Sequence, residues 1–185
     1  MLTKEGYGQT HVKQVPEVIK RMITLFEKYD VHATFATVGM IMYPNAKELL
    51  ADRPQVHPSY TNSVMSPYEH DYIQQIKPEE ECLFFQPEVV KEICKHNGME
   101  TGTHTYCHYY CWAEGQTTEH FDADIRKAVE VARRNGISLK SIVFPRNQVS
   151  DEYLKICAQN GITSYRGNAL KYFDEPKSKW EGFKN

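Results

Sequence analysis

Short runs of β-branched and aromatic residues alternate with amphipathic segments from Val15 to Arg166, and this alternation restricts the chain to few folds. Val15, Val18, Ile19, Met22, Leu25, Phe26 and Tyr29 recur at helical spacing around a helix-compatible Pro16. Lys20, Arg21, Glu27 and Lys28 take the opposite face, so an amphipathic helix of about four turns is predicted. It runs into VHATFATVG, Val31 to Gly39, which reads as a buried strand closed by glycine. A short helix follows at Ala46 to Ala51, and Pro87 opens another that carries Val89, Val90, Ile93 and Cys94 until Asn97-Gly98 stops it. Met99 to Tyr106 is the next strand, Thr118 to Asn135 a helix ended by Gly136, and Ser141 to Arg146 a strand. Asp151 to Asn160 is a helix ended by Gly161, and Ile162 to Arg166 the last strand.

Strands separated by helices of these lengths form a parallel sheet or barrel with the helices outside, so the fold class is α/β. The four strands are about half the complement of a closed eight-stranded barrel. No strand precedes the first helix, and the chain runs about twenty residues past the last strand. The expectation is one incomplete domain over residues 1–185, a partial (β/α) barrel that lacks its first strand and its C-terminal elements. Open strand edges make self-association into a homo-oligomer the further expectation. Between Tyr43 and Pro87 the pattern loosens into PQVHPSYTNSVMSPY, a loop long enough to be functional or mobile.

Composition removes several function classes. Lys plus Arg number 22 against 24 Asp plus Glu, a net charge of -2 without the basic footprint that nucleic acid requires. No stretch approaches the ~18 apolar residues of a membrane span, and the N-terminus lacks a signal-peptide run, so a cytoplasmic or pre-trimmed soluble protein is expected. Five cysteines, at 82, 94, 107, 111 and 157, lack the spacing of a disulfide framework and read as reduced thiols. Cys94 and Cys157 sit among apolar helical positions and are expected to be small buried hydrophobes.

The chemistry concentrates in GTHTYCHYYC, Gly102 to Cys111, with two histidines, two cysteines and three tyrosines in ten positions. His104 and His108 would lie ~13 Å apart in an extended strand. Ligands of one zinc must each approach to about 2.1 Å. The pair can share an ion only if the strand ends near His104 and the chain turns helically, which brings i and i+4 side chains within about 6 Å. The spacing alone also fits one histidine capping a helix or pairing with a carboxylate and the other on the surface. A structural site of His104, Cys107, His108 and Cys111 on one helical face is a third reading, although ligands in a row surround a tetrahedral ion poorly. His57, Tyr60 and Tyr68 on the long loop are candidates to line a sugar subsite by stacking. Tyr109, Tyr110 and Trp112 fit core or pocket wall equally well.

The segment HTYCH, His104 to His108, resembles the H-[ST]-x-x-H metal motif of NodB-type polysaccharide deacetylases, and Glu100 to Thr103 resembles its lead-in. HATFATVG, His32 to Gly39, resembles that family's A-T-F-F-x-x-G strand, and VFPRNQ, Val143 to Gln148, its arginine-bearing strand end with the order changed. The likeness spans roughly residues 12 to 167. It implies a divalent metal, zinc first, held by His104 and His108, with Arg146 orienting a catalytic aspartate and Asn147 beside the substrate. The implied activity is hydrolysis of the acetamide of an N-acetylated carbohydrate. The family's acidic T-F-D-D or D-x-E motif and its late L-x-H motif have no counterpart in the sequence. This chain alone is therefore expected to be inactive, and the rival reading is a non-catalytic carbohydrate-binding or scaffold domain derived from the same fold.

Overall fold

The computed structural model describes residues 7–167. A single-turn helix α1 (Tyr7–Thr10) leads into α2 (Val15–Lys28), strand β1 (Ala33–Thr37), α3 (Ala46–Ala51) and α4 (Pro87–Ile93). Strand β2 (Met99–Thr103), α5 (Thr118–Arg134), β3 (Ser141–Ile142), α6 (Asp151–Gln159) and β4 (Ser164–Tyr165) follow. The strands lie in chain order, all parallel, in one open sheet with β1 and β4 outermost among the described residues. This is the partial (β/α) arrangement that the alternation predicts. The stretch past the last strand, 168–185, lies outside the described residues. No described helix is long and apolar enough to cross a membrane.

The strands stop earlier than the sequence suggests, each for a backbone reason. Gly39 and Met40 leave β1 for a 3-10 turn, and their N–H groups donate to the carbonyls of Thr105 (2.9 Å) and Tyr106 (3.0 Å). Thr105 adopts a left-handed backbone (φ 66°), so β2 cannot continue to Tyr106. Pro145 has no N–H to give a ladder and begins a 3-10 turn in which Arg146 (φ 55°) and Asn147 (φ 54°) are both left-handed.

Register is held by a carboxylate. Ala33 to Thr37 pair with Met99 to Thr103, and Glu100 stands on β2 between Thr34 and Ser141. Its two oxygens accept the Thr34 and Ser141 hydroxyls at 2.7 Å each, which fixes three strands against one another. Neighbouring residues on a strand face opposite ways. Accordingly Thr101 is buried on the other face, where its hydroxyl meets the Cys94 thiol at 3.2 Å. Cys94 itself is exposed because α4 ends at Ile93 and leaves it in the cap, contrary to the expectation of a buried hydrophobe; Cys157 is buried as expected.

Helix α5 shows why this sequence packs here. Thr117 caps it by accepting the His120 N–H, and Phe121, Ile125, Ala128, Val131 and Ala132 form one buried face. Phe121 meets Tyr153 of α6 at 4.5 Å, Tyr109 at 5.4 Å and Phe144 at 6.0 Å between ring centroids. Burying such a side chain contributes about 1.5–3 kcal/mol. Helix α2 is different: Ile23 is its one buried residue, Ile19 and Phe26 of the predicted stripe are half-buried, and Val18 (47% exposed) and Leu25 (53%) face outward. The Phe26 ring packs 6.5 Å from that of Phe35 on the outer strand β1, while Val15, Val18, Met22, Leu25 and Tyr29 of the stripe stay exposed.

The long loop buries Tyr60, Tyr68 and Ile73, while most of its other residues are exposed or half-buried.

Candidate functional site

Just beyond β2, the His104 N–H donates to Thr37 O (2.9 Å), while Val143 N–H donates to Thr103 O (2.9 Å). The carboxyl ends of three strands therefore meet at His104, the position where α/β folds place their sites. Val143 O lies 2.7 Å from His104 Nδ1. A carbonyl can only accept, so Nδ1 carries the proton and Nε2 keeps its lone pair for a ligand.

The turn from His104 to His108 is not helical, which corrects the expectation. Thr105 (φ 66°) and His108 (φ 61°) are both left-handed, and the loop folds back so that the Tyr109 N–H donates to Thr105 Oγ1 at 2.7 Å. The consequence anticipated from a helix is reached by this other route: the two imidazole rings lie 4.8 Å apart at 62°. Both are half-buried. Burial, partly opposed by the Val143 carbonyl, lowers the pKa of His104; burial, then His104 and Arg146, lowers that of His108. Burial thus favours the neutral form of both rings, the form that binds a metal.

The cysteine reading fails on the same geometry. Cys107 and Cys111 are buried on the core side of the loop, and burial raises both thiol pKa values. The four residues do not come together as a metal-holding group among the described residues.

Around the pair, Tyr110 packs its ring 5.1 Å from that of His108, and the Arg146 guanidinium lies 4.4 Å from the Tyr110 ring centroid. The sequence does not divide the aromatic residues after His108 between core and pocket wall. In the fold Tyr110 is wall, Tyr109 is core, and Trp112 is 64% exposed. Arg146 is exposed and forms no ion pair among the described residues, so it orients no carboxylate there. Asn147, also exposed, accepts from the Arg166 guanidinium through Oδ1.

Tyr60 and Tyr68 do not form the predicted stacking surface. Tyr60 is buried and its hydroxyl accepts the Tyr110 N–H at 2.9 Å, so it supports the wall from behind. Tyr68 is buried between the His57 ring (4.7 Å) and the Arg53 guanidinium (4.9 Å).

A metal is half provided for. The free Nε2 of His104 and the neighbouring His108 suit a divalent ion, but no group of three or more His, Cys, Asp or Glu among the described residues could hold one. The third donor that a catalytic zinc needs is absent among them.

Comparison with known proteins agrees with the fold. The polysaccharide deacetylase family profile matches residues 6–165. No curated protein matches the sequence. Among solved structures, the chain resembles a CE4 family pseudoenzyme from Bacillus anthracis (17% identity, TM-score 0.51), covering 81% of this chain and 38% of that one. A mutant of that pseudoenzyme with restored enzymatic activity matches equally (17%, 0.51; 82% and 40% covered). A de-N-acetylase from Aggregatibacter actinomycetemcomitans follows at 14% identity and TM-score 0.51, with 80% and 57% covered. The chain thus spans between 38% and 57% of the length of these structures.

Proposed function

This chain belongs to the polysaccharide deacetylase family, and from that premise we propose that His104 and His108 are two ligands of a divalent metal, zinc first, in a domain that deacetylates N-acetylated carbohydrate. The observation that carries the proposal is the Val143 carbonyl on His104 Nδ1, with the His108 ring 4.8 Å away. A backbone carbonyl on the distal nitrogen is the usual support of a metal-binding histidine, and it fixes both tautomer and ring direction.

A metal bound in such a site polarises an amide carbonyl and lowers the pKa of water from about 15.7 towards ~7. The chain's own residues shape the space around it. Tyr110 packs edge-on against the His108 ring and limits its rotation on that side. The exposed guanidinium of Arg146 offers donors to a sugar or to a carboxylate brought from outside the described residues. The third ligand, the general base and the general acid have no counterpart among those residues, so this chain by itself is a deacetylase site in part. The same deficit favours a second reading, a carbohydrate-binding domain without turnover, and a pseudoenzyme is among the structures it resembles.

Zinc titration of the whole chain tests the proposal. His104→Ala and His108→Ala abolish binding while Cys107→Ala and Cys111→Ala leave it; binding that survives the histidine changes refutes it. Acetate release from chitin oligomers separates the two readings. Background turnover by this chain, together with zinc-dependent turnover by a version extended at both ends, supports the enzyme; background turnover by both supports the binding domain.

A further inference from the structure

The histidine loop is shaped by a residue that sits on the far side of it from solvent. Asp124 lies on the inner face of α5, between Phe121 and Ile125, and is only 2% exposed. Its Oδ1 accepts the Tyr106 N–H at 2.7 Å and its Oδ2 the Cys107 N–H at 3.1 Å. The Cys107 thiol is a further donor. No lysine, arginine or histidine pairs with this carboxylate among the described residues.

A buried anion without a cationic partner is costly, and an apolar residue of similar size in its place is commonly neutral or stabilising. A carboxylate therefore belongs on this face only if something needs the charge. Two successive N–H groups just after a left-handed residue converge on one point and favour an anion there. They belong to Tyr106 and Cys107, in the stretch between the two histidines. Without an acceptor for both, the backbone of that stretch would have two buried N–H groups unpaired and would leave the conformation that turns His108 back towards His104.

We propose that Asp124 is the positioning residue of the histidine pair: it clamps the Tyr106 and Cys107 N–H groups and so holds His104 and His108 facing one another. The inference rests on the metal-ligand reading for its purpose, but not for its geometry. Three neighbours complete the clamp without replacing it. Thr105 Oγ1 takes the Tyr109 N–H, while the Gly39 and Met40 N–H groups take the Thr105 and Tyr106 carbonyls. The Thr105 and Tyr106 carbonyls are thus held from the turn after β1, and the Tyr106 and Cys107 N–H groups from α5.

The test is NMR of the labelled full chain without metal, followed by zinc titration. Asp124→Asn keeps the shape but turns one acceptor into a donor aimed at an N–H. Expected are loss of the ring-to-ring contact between His104 and His108 and a zinc affinity about 10–100-fold weaker. Asp122→Asn, two residues earlier on the same helix, leaves both unchanged. A folded Asp124→Asn with the ring contact and zinc affinity of wild type overturns the inference, and a lower melting temperature alone does not support it. If Asp124→Asn does not fold, the wild type decides: scalar coupling across the hydrogen bonds from the Tyr106 and Cys107 amides to the Asp124 carboxyl carbon supports the clamp, and its absence overturns it. A wild type that shows the ring contact, loses it in Asp124→Asn and binds no zinc refutes the metal reading while leaving the clamp in place.

Discussion

Gly39→Ala probes the contact between β1 and the histidine loop with a single methyl group. Gly39 is buried at the turn after β1, and a Cβ built on it would lie 2.7 Å from Tyr106 Cδ2 and 3.1 Å from Tyr106 Cα. Ordinary contact begins at 3.4 Å, so the ring must retreat by 0.7 Å (3.4 − 2.7) and the backbone by 0.3 Å (3.4 − 3.1). Neither has room. The Tyr106 side chain is fully buried, its N–H is held by Asp124 and its carbonyl by Met40. Overpacking of this kind costs about 1–3 kcal/mol. For a chain of this size each kcal/mol lowers the melting temperature by roughly 2–4 °C. Urea denaturation followed by circular dichroism reads the cost, and zinc titration reads the displacement of the loop. An unchanged urea midpoint together with unchanged zinc affinity would refute the reasoning, because the loop would then be free to yield.

Tyr60→Phe removes the acceptor of the part-buried Tyr110 N–H and is expected to cost about 1–3 kcal/mol in chemical denaturation. A neutral result would show that Tyr60 is no support for the wall. Asp52 concerns acid stability. Burial pushes its pKa up, but hydrogen bonds from Lys127, Tyr43 and Arg134 outweigh this and hold it at about 2 instead of 3.8. A depressed acid stabilises the fold above its unfolded pKa and loses that contribution as pH falls through the folded one. The difference in urea midpoint between wild type and Asp52→Asn is therefore expected to be full above pH 3.8 and to vanish towards pH 2; a constant difference across that window would refute the assignment.

Helices are legible in the sequence almost to the residue, because period, caps and stop glycines all act locally. Thr118 to Asn135 is α5 with its cap, and Asp151 to Asn160 is α6. Strand ends are not legible, because the left-handed turns at Thr105, His108 and Arg146 are imposed by partners distant in sequence rather than by glycine. Residue types single out the histidine pair, whereas its spacing points to the wrong turn. Tyr60 and Tyr68 mislead because a polar, proline-rich stretch reads as exposed, whereas tertiary packing buries its aromatic rings. Asp124 has one sequence signal, an acid in the apolar stripe of a helix, three residues after Phe121 and one before Ile125.

The Glu100 bridge ties the site to the order in which the molecule can assemble. Its two hydroxyl partners lie 66 and 41 residues away along the chain, and the carbonyl that directs His104 lies 39 residues away. Loop closure over such distances must occur before any of these contacts is rewarded. A one-residue slip of β2 would turn Glu100 and His104 to the opposite face together. The histidine pair is thus completed late, and only on a correctly aligned sheet: a nascent or misregistered chain would carry the whole HTYCH motif and still lack the site.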